Sequence, residues 1–263
     1  MTTDLTGTRV LITGGARGLG LRTAHVLSQR GAAVAIADID ESAGSTAAAE
    51  LAGSASFVRL DVTDDGAWAK ATAQAVESLG GLDAVVNNAG IEISDLFVDL
   101  DAENLRKIFD VNVLGTALGI KHAFRAMRKD DGSGTGGVIV NIASVAATIA
   151  FPGIAAYSAS KSAVERLSKV AAAESGRLGY GVRVNTVCPG LVPNAMGAQL
   201  ASDMERLGLF PSTDEAVAAV VGLTPSGRLA TEDDIAQGVA FLVSSDAEFV
   251  NGVTLSVDGA MGM

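Results

Sequence analysis

Short apolar runs, rich in β-branched residues, recur along the chain and are separated by glycine or polar residues from longer segments of helical composition. Several runs are apolar throughout instead of alternating with polar residues, which is typical of parallel strands covered on both faces. We therefore predict strands at residues 9–13, 33–37, 56–60, 84–87, 138–142, 183–187 and 254–257.

The longer segments between these runs predict helices at residues 19–30, 42–51, 65–79, 102–129, 157–178 and 232–242. Alternation of strand and helix predicts an α/β fold, with a doubly wound, seven-stranded parallel sheet flanked by helices. No stretch has the composition of an interdomain linker, so residues 1–263 are predicted to form a single domain.

Composition narrows the range of partners. The 263 residues are 48% hydrophobic and carry 19 basic and 30 acidic side chains, a net charge of −11. This is enough apolar material for a core, while the negative charge disfavours nucleic acid and anionic membrane surfaces as partners. Cys188 has no second cysteine to pair with, and the first residues lack a secretory pattern, so we predict a cytoplasmic protein.

A glycine-rich segment, residues 13–20, follows the first predicted strand and leads into a helix. Gly14, Gly18 and Gly20 are spaced for a tight turn that brings backbone amides and a helix N-terminus against a pyrophosphate, as in a Rossmann domain. An ordinary glycine-rich loop is the alternative. The strand–turn–helix context that the motif requires is present and favours dinucleotide binding.

Asp38 ends the second predicted strand, eighteen residues after Gly20. A carboxylate at this distance typically binds the adenosine ribose, accepts from a free 2′-hydroxyl and repels a 2′-phosphate, which predicts NAD as the cofactor. Arg17 argues the other way, because its guanidinium could pair with a 2′-phosphate. The alternative role for Asp38 is that of a helix cap or turn residue.

Tyr157 and Lys161 are four residues apart in a predicted helix and therefore share one face. A phenol has a pKa of about 10, and a neighbouring ammonium favours its ionised form. Tyr157 could then take a proton from an alcohol or give one to a ketone. This spacing is common in helices, so the pair acquires meaning only from its context. His25 and His122 lie in helices without metal-ligand spacing, and we predict no metal site.

That context resembles the short-chain dehydrogenase/reductase family over nearly the whole chain. Residues 13–20 resemble its TGxxxGxG motif, residues 87–90 its NNAG motif and residues 157–161 its YxxxK motif. Ser144 stands thirteen residues before Tyr157, where the family keeps its catalytic serine. Further matches are the asparagine at Asn112, the adenine contact at Asp61 and Val62, and the PG pair at Pro189 and Gly190.

The resemblance implies a role for each catalytic residue. Tyr157 would be the acid/base, Ser144 would hydrogen-bond the substrate oxygen, and Lys161 would hold the nicotinamide ribose and lower the tyrosine pKa. Asn112 would position a water that connects Lys161 to solvent. Asn194 stands where the family usually has a threonine that contacts the nicotinamide carboxamide. The implied cofactor-binding residues are Gly14, Arg17, Gly18, Leu19, Gly20, Asp38, Asp61, Val62, Asn88, Ala89, Gly90, Tyr157, Lys161, Pro189, Gly190, Val192 and Asn194.

Residues 191–226 form a long segment of helical composition, which in the family is a lid over the substrate. Its apolar side chains suit a hydrophobic and cyclic alcohol or ketone, such as a hydroxysteroid or terpenoid alcohol, although they could equally pack on the core. The first alternative function is a 3-hydroxyacyl-CoA-type dehydrogenase. A non-catalytic, NAD(H)-sensing protein is the second. The resemblance also implies a homotetramer.

Overall fold

The computed structural model describes residues 3–51, 53, 55–129 and 134–263, and within them a parallel sheet of seven strands forms the centre of the fold. The strand order is β3-β2-β1-β4-β5-β6-β7, so the chain reverses its direction of winding between β1 and β4. Ligands of such sheets bind outside the carboxyl ends of the strands at this reversal. The strands are β1 (Arg9–Thr13), β2 (Ala33–Asp38), β3 (Ala55–Arg59), β4 (Ala84–Asn87), β5 (Gly137–Ile142), β6 (Val182–Pro189) and β7 (Thr254–Val257).

Helices cover both faces of the sheet. One apolar core lies between the sheet and α1, α2 and α9, and a second core lies between the sheet and α3, α5 and α6. This burial on both faces accounts for the apolar composition of the strands. The helices are α1 (Gly18–Gln29), α2 (Glu41–Glu50), α3 (Asp65–Leu79), α4 (Ala102–Phe109), α5 (Gly115–Met127), α6 (Ala155–Leu178), α7 (Ala195–Arg206), α8 (Thr213–Gly222) and α9 (Glu232–Val243).

The predicted fold class is confirmed, and each predicted strand is present with its ends shifted by two residues at most. The single helix predicted over residues 102–129 is wrong. A π-helical turn, Asp110–Leu114, separates α4 from α5. The flanking residues Phe109 and Gly115 keep right-handed helical backbone angles, so the chain stays helical through the turn. A π-helical turn contains one residue more than an α-helical turn, and the pattern of apolar residues does not reveal it.

The segment at residues 191–226 contains α7 and α8. Each begins at a polar capping residue: the side chain of Asn194 accepts from the Gly197 amide, and that of Ser212 accepts from the Glu215 amide. The two helices contact each other and lie beyond the carboxyl end of β6. They therefore adjoin the edge of the sheet where ligands of this fold bind.

Candidate active site

The glycine-rich turn joins β1 to α1. Gly14 and Gly18 have positive φ angles of 62° and 53°, which favour glycine. A Cβ at Gly14 would lie 2.9 Å from the Cα of Ala89, so the turn is packed directly against the segment after β4. Arg17 at the N-cap of α1 provides no side-chain acceptor for the amides of the first helical turn, where Leu19 and Gly20 lie. These amides suit an anionic phosphate.

Thr13 and Asn88 hold the turn in place. The Thr13 hydroxyl accepts hydrogen bonds from the amides of Asn88 and Ala89, at 3.1 Å each. The Asn88 side chain donates to the carbonyl oxygens of Thr13 and Gly14, at 3.0 Å each. The Asn88 side chain thus fixes the conformation of the turn through its carbonyl groups. Thr13 was absent from the site residues predicted from the sequence, although it opens the glycine motif.

Asp38 lies beside the same turn. One of its carboxylate oxygens accepts from the Ala16 amide and the other from the Asp40 amide, both at 3.1 Å. The guanidinium of Arg17 lies 2.6 Å from a carboxylate oxygen of Asp40. Arg17 is therefore paired with Asp40, an interaction that nothing in the sequence pattern revealed.

Two further predicted cofactor residues, Asp61 and Val62, follow β3. Asp61 accepts from the amide and hydroxyl of Thr63, at 3.0 and 2.7 Å, and the Val62 carbonyl accepts from the Trp68 indole. These bonds fix the bend after β3. The contact of Asp61 and Val62 with an adenine stays a prediction.

The segment after β6 approaches the glycine turn from the other side. Pro189 ends the strand, and Gly190 packs so closely that a Cβ there would lie 3.0 Å from the Cα of Asp258. Asn194 caps α7, and its Nδ2 lies 3.9 Å from the position of a Cβ at Gly18. The backbone amide of Asn194 also donates to the Val192 carbonyl at 2.8 Å. Asn194 thus has a structural role and presents its amide nitrogen to the turn.

Tyr157, Lys161 and Ser144 come together where α6 begins beside the end of β5. The Lys161 Nζ donates to the Ile142 carbonyl at 2.9 Å and lies 5.6 Å from the centre of the Tyr157 ring. A hydrogen bond also joins the side chains of Ser144 and Tyr157. The i, i+4 spacing inferred from the sequence therefore places the phenol and the ammonium on one face of α6, with the serine facing the phenol.

Burial dominates the proton affinities of this group. It raises the pKa of Tyr157 to about 12, against a lowering by the Ser144 hydrogen bond, and the charge of Glu92 raises it further. Burial also lowers the pKa of Lys161 to about 8. The neighbouring ammonium was expected to lower the pKa of Tyr157, but burial raises that pKa in the chain alone.

Asn112 lies in the π-helical turn and is buried. Its side chain accepts from the Ile91 amide and donates to the Ile91 carbonyl, both at 2.9 Å, and also donates to the Ser160 hydroxyl at 3.0 Å. A Cβ at Gly90 would lie 3.2 Å from Asn112 and 3.3 Å from the Lys161 nitrogen. Asn112 therefore ties the segment after β4 to α6, and its role toward a water stays a prediction.

An apolar cluster covers Tyr157 on the side of α7 and α8. Met204 and Ala216 are buried there against Ala146 and Ile154, and the partly buried members of the cluster are Phe151, Tyr157, Leu200, Leu207, Leu209 and Phe210. Side chains of α7 and α8 thus pack on one another and also on Tyr157, and the role of residues 191–226 as a lid over the substrate stays a prediction.

Glu92 is a polar residue of this region that the sequence analysis missed. Its Oε1 accepts from the Ser94 hydroxyl at 2.7 Å, whereas its Oε2 is shielded from solvent and has no hydrogen-bond partner among the described residues. Burial and the charges of Asp203 and Asp95 raise its pKa. No motif marks this position, so sequence reasoning had no signal for it.

The other polar candidates lie apart from this reaction centre or are inert. The His122 Nε2 lies 2.7 Å from a carboxylate oxygen of Asp65, and its ring stacks on buried Trp68. Burial raises the pKa of the Cys188 thiol to about 12, which makes it unreactive.

No group of three metal-ligating side chains occurs in the described part of the chain. Among the described helices, none is long and apolar enough to cross a bilayer.

Comparisons with known proteins agree with this geometry. Residues 14–262 match a family described as enoyl-(acyl carrier protein) reductase. The cyclopentanol dehydrogenase of Comamonas sp. (strain NCIMB 9872) is 37% identical over 253 residues, which cover 95% of each chain. The chain belongs to the short-chain dehydrogenase/reductase family. As a member of this family it is an oxidoreductase that acts on CH–OH groups and binds a nicotinamide cofactor.

Two further members of the short-chain dehydrogenase/reductase family extend the comparison. The 2,5-dichloro-2,5-cyclohexadiene-1,4-diol dehydrogenase of Sphingobium indicum (strain DSM 16412) is 37% identical over 257 residues, 97% of each chain. The 3-ketoacyl-(acyl-carrier-protein) reductase of Brucella melitensis, solved with NADH, superposes with a TM-score of 0.86 and 29% identity. The superposition covers 99% of this chain and all of that one.

Proposed function

We propose that the protein interconverts a secondary alcohol and its ketone on an apolar, cyclic substrate, with NAD as the cofactor. The observation that carries the proposal is the grouping of Ser144, Tyr157 and Lys161 beneath the apolar cover of α7 and α8. The cover excludes water from the phenol and offers contacts to a hydrocarbon ring.

The residues act in a sequence that follows from their positions. Ser144 donates to the substrate oxygen and orients it toward the phenol. Tyr157, once deprotonated, takes the hydroxyl proton during oxidation and returns a proton during reduction. Lys161 holds its ammonium next to the side-chain-free Gly90 and binds the cofactor ribose. When bound, the dinucleotide supplies the hydride acceptor for oxidation and the hydride donor for reduction.

The negative charge of Asp38 and the pairing of Arg17 support the preference for NAD. The Asp38 carboxylate beside the turn accepts from a ribose hydroxyl and repels a 2′-phosphate. Arg17, the residue that favoured NADP in the sequence, is paired with Asp40 at 2.6 Å. That pairing supports NAD, because a guanidinium held by a carboxylate is less disposed to bind a phosphate.

The ring substrate is supported by the relatives and by the cover. Cyclopentanol and a cyclohexadienediol give two relatives their names. The apolar cover of this chain includes stacked rings, Phe151 and Phe210, whose centres are 6.2 Å apart. Flat apolar walls of this kind suit a small carbocycle.

A 3-hydroxyacyl thioester is the second candidate, favoured by the similarity to the Brucella melitensis reductase. Against it, residues 189–205 contain no lysine or arginine that would bind the phosphates of coenzyme A. The next basic residue, Arg206, donates to a carboxylate oxygen of Asp203 at 2.8 Å and to the Ser94 carbonyl at 3.0 Å. These contacts leave the ring alcohol as the better supported substrate.

The deciding experiment is NADH formation by the purified protein with NAD and a matched panel of cyclopentanol, cyclohexanol, a hydroxysteroid, 2-butanol and a 3-hydroxyacyl-CoA. Selective turnover of the ring alcohols is expected. Preference for the thioester would replace the proposal by the second candidate. Tight NADH binding without turnover of any alcohol or thioester would favour the NAD(H)-sensing alternative.

We propose one domain over residues 1–263, with residues 191–226 as the lid. The homotetramer and the cytoplasmic location stay predictions. Light scattering on the purified protein checks the first, with four times the 26.5 kDa chain mass as the expected result.

A further inference from the structure

Glu92 occupies an unusual position for an acidic side chain. It follows Gly90 and Ile91, which adjoin Lys161 and Asn112. Two residues later, Ser94 is held by Arg206 of α7 through its carbonyl oxygen. The segment that carries Glu92 thus runs from the surroundings of Lys161 to α7, the helix whose side chains pack on Tyr157.

The Glu92 carboxyl is only half satisfied. Oε1 accepts from the Ser94 hydroxyl, and Oε2 is shielded from solvent with no partner in the described part of the chain. The charge of Glu92 acts on the Tyr157 phenol on one side and interacts with Asp203 and Arg206 of α7 on the other. A buried oxygen without a partner is unfavourable, so a ligand that provides one is favoured.

A hydroxyl is the group that matches this oxygen. If the carboxyl is ionised, it accepts from the O–H of the ligand; if it is protonated, it donates to the oxygen of the same hydroxyl. A ligand carboxylate would face the negative charges of Asp203 and Asp95. A purely hydrocarbon ring would leave Oε2 as it is.

We propose that Glu92 is a specificity-determining residue that binds a second hydroxyl of the substrate, so that the enzyme prefers ring diols to ring monoalcohols. The inference rests on the proposed function, since it concerns the substrate of the same site. Side chains of α7 and α8 pack on Tyr157 itself, and Arg206 of α7 donates to the Ser94 carbonyl, so the covering helix contacts both the phenol and the segment that carries Glu92.

The test is the ratio of kcat/KM between ring diols and cyclohexanol, measured with NAD for wild type and three variants. The diols are the 1,2- and 1,4-cyclohexanediols. Wild type should prefer at least one diol by about tenfold or more, as expected for one hydrogen bond to a charged group. Glu92→Met, which keeps the length of the side chain and removes both oxygens, should bring that ratio to about one.

Two matched variants separate recognition from general damage. Glu92→Gln keeps a hydrogen-bonding side chain of the same shape and should retain most of the preference. Asp95→Asn removes a charge three residues away, where the carboxylate is bound by the Asn104 amide at 3.1 Å, and should leave the ratio unchanged. Glu92→Met should also raise the melting temperature, because an unsatisfied buried carboxyl is removed.

The outcomes distinguish this inference from the proposed function. If wild type oxidises none of the ring alcohols, the proposed function fails. If wild type oxidises them without preference for a diol, or if Glu92→Met keeps the preference, Glu92 does not select the substrate while the proposed function stands. Preference for 4-hydroxycyclohexanecarboxylate over every diol would also overturn the inference.

Discussion

The proposed preference for NAD depends on the Asp38 carboxylate, and replacement of Asp38 by alanine should reverse that preference. The Ala16 and Asp40 amides each use one position on its two carboxylate oxygens. A carboxylate has about four lone-pair sites, so positions remain on both oxygens for the ribose. Asp38→Ala removes them together with the negative charge.

The size of the effect follows from one hydrogen bond to a charged group, about 1.5–3 kcal/mol. At about 1.4 kcal/mol for each factor of ten, Asp38→Ala should lower kcat/KM for NAD by roughly 10- to 150-fold. The Asp38 carboxylate and the 2′-phosphate of NADP would repel each other by about 4 kcal/mol, the value for two unit charges about 4 Å apart at an effective dielectric constant of about 20. Loss of that repulsion should raise kcat/KM for NADP by about tenfold or more.

Initial rates with NAD and NADP at a saturating alcohol measure both effects. Asp38→Asn is the matched control, because it keeps the shape and one acceptor while removing the charge. It should lose less activity with NAD than Asp38→Ala and gain similarly with NADP. An unchanged NAD/NADP ratio in both variants, with melting temperatures close to that of wild type, would refute the role given to Asp38.

Two further predictions concern the supports of the site. Thr13→Val should cost about 1–3 kcal/mol in free energy of unfolding, because the Ala89 amide loses its acceptor and the Asn88 amide keeps only the Val86 carbonyl. Thr186→Val, at a buried strand hydroxyl with no partner among the described residues, should cost less than about 1 kcal/mol. Urea denaturation compares the two, and equal losses would contradict the argument. Lys161→Met should be more stable than wild type at pH 7, because burial lowers the pKa of Lys161 from 10.5 to about 8 and wild type buries the charge below that pH. The difference in free energy of unfolding between Lys161→Met and wild type should shrink as pH rises from about 8 to 10.5, because the folded lysine is then neutral. A difference that is constant between pH 7 and 10 would contradict the lowered pKa of Lys161.

Strands were the part of the fold that the sequence revealed best. In β1, β4 and β7 the observed bounds equal the predicted ones. Parallel strands covered on both faces are short and nearly free of polar residues, and glycine or polar residues mark their ends. The helix over residues 102–129 was the error, because a π-helical turn adds one residue to a turn without changing the backbone region or the apolar pattern.

Some features of the candidate site could also be predicted from the sequence, and others could not. Residues of contiguous motifs, such as Tyr157 and Lys161, could be placed together because helix geometry fixes their relation. The pairing of Arg17 with Asp40 and the isolation of the Glu92 oxygen depend on the conformation of loops, which local patterns do not encode. The balance of pKa values was also missed, because burial is a property of the whole fold.

The proposed function depends above all on Tyr157 as the acid/base of an NAD-dependent alcohol dehydrogenase. The most direct measurement compares wild type and Tyr157→Phe in NADH binding, by the change in NADH fluorescence, and in turnover of a ring alcohol. We expect binding within about threefold of wild type and a loss of kcat of at least about 100-fold, the usual scale of general acid–base catalysis. Turnover within tenfold of wild type, with NADH binding intact, would contradict the account.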